Sequence, residues 1–140
     1  MLTVRLGIAA VVVATAAGCG GSDQSKPAPS VSGEQRGVLA TVDALQAASR
    51  HDDARRICTQ LFTKSLAASI RKSSKRSCEA EVHETLTSPD AQLSVARRIT
   101  VKGSRATATV HEETGKVSTV TFVRDGGRWR IERVTPVKSP

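Results

Sequence analysis

The chain has 140 residues, 21 Lys/Arg against 13 Asp/Glu for a formal net charge of +8, and three aromatic side chains, Phe62, Phe122 and Trp129, with no tyrosine. That length allows one small domain. Three aromatics are too few for a base-stacking platform, so the charge is not read as a nucleic-acid signal, and the lack of tyrosine removes the phenolic oxyanion donor from any catalytic scheme.

Arg5 is followed by a twelve-residue apolar run, Leu6 to Ala17. A helix needs about 20 residues to cross a bilayer, so the run suits a secretory signal peptide instead. It ends in Thr15-Ala16-Ala17-Gly18-Cys19, which resembles the bacterial lipobox, where small residues precede a cysteine that is acylated, with palmitate for example, and becomes the new N-terminus. Residues 1–18 are therefore expected to be a lipoprotein signal peptide and Cys19 the lipid attachment site. Gly20 to Gly33 is rich in Gly, Ser, Pro and Lys without apolar periodicity, so residues 19–33 form the lipidated cysteine and a flexible tether with an r.m.s. reach of about 20 Å. The expected location is the extracytoplasmic face of a bacterial cell membrane, with residues 34–140 as the folded domain. Cleavage before Cys19 removes Arg5 and leaves twenty Lys/Arg against thirteen Asp/Glu, a formal +7. Such a domain is attracted to anionic headgroups or envelope polymers, more weakly as salt rises.

With Cys19 assigned to lipid, Cys58 and Cys78 remain as an even pair in an oxidising compartment, which favours a disulfide over two buried thiols or a reactive pair. Closing a loop of about 20 residues contributes on the order of 3 kcal/mol in the chain-entropy model, which matters for a small core poor in aromatics.

Along the domain, Ser32-Gly33-Glu34-Gln35 forms a capping box that starts a first helix. Val38, Leu39, Val42, Leu45 and Ala48 make its apolar stripe, and Arg36, Asp43 and Arg50 its outer side. His51-Asp52-Asp53 interrupts it, with Asp52 or Asp53 capping a short helix over Ala54 to Phe62 that turns Ile57, Cys58 and Leu61 inward. Thr63 caps a third helix, Lys64 to Lys72, whose basic exit from Arg71 to Ser77 reads as a solvated loop. Ser77 caps a fourth helix with Cys78, Val82 and Leu86 inside, ended by Ser88-Pro89-Asp90.

From Val95 the apolar period becomes two. A turn at Gly103-Ser104 pairs Val101 with Ala106 and Ile99 with Ala108. For Ala106, Ala108 and Val110 to share a face with Val120 and Phe122, the next loop must hold an odd number of residues. The spacing predicts a three-residue turn, Glu113-Thr114-Gly115, with Gly115 left-handed. The last hairpin turns at Asp125-Gly126 or Gly126-Gly127, and in either register Val120, Phe122, Trp129 and Ile131 share a face. The fold class expected is α+β, with N-terminal helices packed on a curved four-stranded antiparallel meander, and Trp129 beneath the first helix.

Two segments, Val42-Asp-Ala-Leu-Gln-Ala-Ala-Ser-Arg-His-Asp52 and Val123-Arg-Asp-Gly-Gly-Arg-Trp-Arg-Ile131, resemble those of small bacterial lipoproteins of the nuclear transport factor 2-like superfamily, the cystatin-type α+β roll. The resemblance spans residues 34 to 135 and implies shape rather than activity. It implies a cavity between helices and sheet, used by enzymatic and binding members alike, and smaller here because the stretch between helices and meander is short. Related rolls often dimerise through the outer sheet face, which here is rich in Thr and Arg and points to a monomer.

Candidate chemistry is sparse. Asp43 lies off the apolar stripe and His111 on the polar strand face, so each reads as a solvated residue rather than a base. Glu79 and His83 stand four apart on one helix face but lack a third metal ligand. No nucleophile elbow, phosphate loop or paired zinc motif occurs, and no cofactor is implied. Arg98, Arg128 and Arg130 form a basic outer strand face. The expected function is a non-catalytic binding or interaction domain. Its partners are the membrane, through the lipid anchor, and an anionic envelope component or small ligand. The alternatives are a cavity enzyme of isomerase or hydrolase type and a structural envelope protein adhering to anionic surfaces.

Overall fold

The computed structural model describes residues 31–138, apart from the side chains at 96 and 97. The expected signal peptide, Cys19 and most of the expected tether lie outside the described residues. Helix α1 spans Gly33–Arg50, so Gly33, expected to end the tether, is its first helical residue. The capping box is present in both directions: Gln35 N donates to Ser32 Oγ at 3.2 Å and Ser32 N to Gln35 Oε1 at 2.9 Å. No helix among the described residues is long and apolar enough to cross a membrane.

Val38, Val42 and Ala48 of α1 are buried as expected, but Leu39 and Leu45 are only half-buried, and Thr41 and Ser49 are buried instead. The inward stripe is thus turned toward Thr41. Its hydroxyl lies 3.1 Å from both the Gly37 and the Trp129 carbonyl oxygens, which removes the cost of burying it.

The second helix departs from expectation. Asp53 caps it, its side chain accepting from Arg56 N, but only Ala54–Arg56 (α2) is α-helical and Ile57–Leu61 forms a wider π turn. Phe62 is not helical. Its backbone is extended and makes a parallel bridge with Ile131, and Thr63 N donates to Ile131 O at 2.9 Å. The π turn closes with Phe62 N on Ile57 O, and this wider register lets Ile57, Cys58, Leu61 and Phe62 all bury. Helices α3 (Lys64–Ser74) and α4 (Cys78–Thr85) follow, capped by Thr63 and Ser77 as expected.

The four strands, β1 (Leu93–Lys102), β2 (Arg105–Glu112), β3 (Val117–Asp125) and β4 (Arg128–Pro136), form one antiparallel sheet in sequence order. Val101 pairs with Ala106, Ile99 with Ala108, Ala108 with Val120 and Ala106 with Phe122, all in the expected register. The three-residue turn forms, with Gly115 at φ 84°. Of the two possible last turns the chain uses Gly126-Gly127, pairing Asp125 with Arg128. Both central residues have positive φ, 57° and 78°, which a glycine pair adopts without steric cost.

Two bulges modify the ladder. In β1, residues 96–98 stand opposite Thr109 alone, between the pairs Val95–Val110 and Ile99–Ala108. In β4 the register slips by one residue at Glu132, so Arg133 pairs with Thr121 and Val134 with Val120.

The core lies between the sheet's inner face and the helices. Trp129 sits under α1 as expected, 7% exposed, its Nε1 donating to Glu34 Oε2 at 3.1 Å. Contact is close because α1 presents Gly37 there: a Cβ at that position would lie 2.7 Å from Trp129 Cδ1. Alanine in a helix interior ordinarily gains about 1 kcal/mol over glycine. Here Gly37→Ala should instead destabilise by about 1–3 kcal/mol through overpacking, read as a lower urea midpoint.

Candidate functional site

The interior, where a roll of this shape could open a cavity, is lined by apolar side chains. Its largest fully buried side chains are Phe122, Ile57, Ile131, Val38 and Val82. Ala106 and Ala108 on β2 leave room for the larger Phe122 and Val120 they pair with. Among the described residues the buried polar side chains are Thr41, Ser49 and Thr63. None is ionisable, so the core offers neither acid nor base. Thr63 is occupied locally, its hydroxyl accepting from Leu66 N at 3.2 Å.

The candidate residues lie apart from one another. Asp43 is exposed on α1, and His111 is exposed on the outer face of β2, opposite Val117. Cys58 and Cys78 are joined in a disulfide that ties the π turn to α4. Glu79 and His83 are both exposed, and no group of three His, Cys, Asp or Glu converges among the described residues.

His83 instead pairs with Asp52, its Nδ1 2.5 Å from Asp52 Oδ1. Asp52 turns the α1–α2 corner at φ 55°. The His83 hydrogen bond, with a lesser one from Thr87, holds the Asp52 carboxyl below the ordinary carboxylate range. A depressed folded pKa means the contribution is present above the unfolded Asp value and lost as pH falls through the folded one. Both side chains are more than half exposed, 64% and 55%, so solvent screens the pair. His83→Ala should move the Asp52 pKa up toward the ordinary value, read by carbon NMR of its carboxyl.

What remains is surface. A shallow depression of about 410 Å³ is lined by Asp53, Arg55, Arg56, Thr59 and Gln60 beside the π turn. Next to it Arg130 Nη1 donates to Thr59 O at 3.1 Å, while its buried Nε, without a hydrogen-bond partner, lies 3.5 Å from the Asp125 carboxylate. Of the expected basic face, Arg98 and Arg128 are exposed but Arg130 is half-buried and engaged. The same sheet face carries Lys102, Arg105 and Arg133, which sequence reasoning missed. Arg133 stands there because of the Glu132 bulge; an unbroken ladder would have set it opposite Val120 on the inner side.

No family model and no curated protein matches the sequence. Two solved structures share its fold. An NTF2-like protein of unknown function from Shewanella baltica is 16% identical with a TM-score of 0.54, over 76% of this chain and 94% of that one. An NTF-2 like protein of unknown function from Silicibacter pomeroyi is 15% identical with a TM-score of 0.55, over 74% and 94%. At these identities the likeness is one of architecture: the chain has the α+β roll of nuclear transport factor 2-like proteins.

Proposed function

We propose that this protein is a membrane-anchored extracytoplasmic lipoprotein whose folded domain binds a partner or small ligand at its surface and catalyses nothing. The observation that carries the non-catalytic part is the apolar interior: among the described residues its buried side chains, Phe122, Ile57 and Ile131 foremost, include no ionisable group. An acid or base needs a site with a perturbed, positioned titratable group. Among the described residues the perturbed carboxylates are Asp52, beside His83, and Glu84, beside Arg76, and both sit in exposed surface bridges. The anchor is supported by the small-residue run before Cys19 and the Gly/Ser/Pro-rich stretch after it. The Thr-rich, charged outer sheet face supports a monomer.

Two measurements test this reading. The wild-type chain should fractionate with membranes and carry acyl mass on Cys19, and Cys19→Ala should be released. Purified protein should turn over no member of a broad panel of isomerase and hydrolase substrates. Turnover abolished by Asp52→Ala or His83→Ala would overturn the non-catalytic reading, and an unacylated Cys19 would overturn the anchor.

A further inference from the structure

The ladder sorts the outer sheet face into rows across the strands. Lys102, Arg105, Val123 and Arg130 form one, and Thr100, Thr107, Thr121 and Arg133 the next. Thr109, Thr119 and Thr135 form a third. The face is therefore a floor of threonine hydroxyls with cationic groups along one end and the β4 edge. Two of those cations are engaged locally: Arg105 pairs with Glu132 at 3.1 Å, and Arg130 lies beside Asp125. Lys102, Arg128 and Arg133 are exposed, and none of them is in a salt bridge among the described residues.

No helix among the described residues covers this side, since all four pack on the other. An open sheet presents a broad face rather than a groove, which suits an array of phosphates more than one polymer strand. Threonine hydroxyls donate to phosphate oxygens, and the free cations supply the charge complement. Helix α1 also begins at the cationic end: Gln35 donates to Ile99 O, and Glu34 meets Arg124 and Trp129. The expected tether has an r.m.s. reach of about 20 Å. Tethering raises the effective concentration of the face at the membrane, so attraction too weak for free binding becomes sufficient.

Resting on the anchored reading above, we infer that the outer sheet face lies against the anionic phospholipid headgroups of the membrane. The rival surface is the basic exit of α3, Arg71 to Arg76, where Arg76 is already paired with Glu84 and Glu81.

The test is hydroxyl-radical footprinting of the full protein, purified from membranes and reconstituted into vesicles of phosphatidylcholine alone or mixed with phosphatidylglycerol. The expected result is several-fold protection of Val117 and Val123 in the mixed vesicles only. High salt, or the triple variant Lys102→Gln/Arg128→Gln/Arg133→Gln, should abolish it, while exposed residues of α4 label equally throughout. Equal labelling of the sheet face in both vesicles would overturn the inference, as would protection of the α3 exit instead. Intact mass of the same sample reads the acyl group on Cys19. The footprint therefore decides the inference and the mass decides the anchor, so the two can fail separately.

Discussion

Trp129→Ala should lower the free energy of unfolding by about 3–5 kcal/mol, the range for truncating a buried large aromatic. The indole is 7% exposed and fills the space that Gly37 leaves on α1. Its loss opens a cavity between the start of that helix and β4. The polar consequence is smaller. Glu34 loses the indole N–H but keeps Arg124, whose Nη1 lies 2.7 Å from Glu34 Oε1, so no charge is stranded. Trp129→Phe should restore much of the packing without the hydrogen bond and cost less than alanine. Urea titration followed by far-ultraviolet circular dichroism measures both, since the variants lose their only tryptophan. A loss below about 1 kcal/mol for Trp129→Ala would mean that the ring does not seat α1.

The second large effect belongs to the disulfide. Cys58→Ser/Cys78→Ser should cost about 3 kcal/mol, the chain-entropy value for opening a loop of this size. The π turn and α4 meet around Cys58, Cys78 and the fully buried Val82, a small apolar contact for two short elements. Reductant should lower the urea midpoint of the wild type to that of the double variant and leave the variant itself unchanged. A wild-type midpoint indifferent to reductant would contradict this.

The parts legible in the sequence are those ruled by local chemistry. Ser32 and Gln35 cap each other, Gly115 supplies a left-handed residue at an odd-length loop, and Ala106 and Ala108 stand opposite Phe122 and Val120. Each is fixed by a neighbour in sequence or by parity along a strand. The π turn was not legible, because its cause is remote: Phe62 leaves the helix to pair with Ile131, 69 residues on. The β4 bulge left a trace in the spacing, since Trp129 and Ile131 are followed by an apolar residue at Val134 rather than at 133. That broken alternation is what moves Arg133 to the outer face. The Asp52–His83 pair had no sequence signal, since tertiary packing alone joins a corner to a helix 31 residues away. Sequence could exclude a phenolic donor, but whether the interior is open or full depends on how Phe122, Ile57 and Ile131 pack, which composition does not encode.

The account turns on that interior being full. Methyl NMR of Val38, Ile57, Val82 and Ile131, with small apolar ligands and cyclic ketones titrated into the native protein, tests it most directly. Closed packing predicts that these methyl signals stay in place while exposed methyls such as those of Val134 and Val137 respond weakly and without saturation. Saturable shifts confined to the four interior side chains would reveal an accessible pocket, and would contradict a protein that works through its surface.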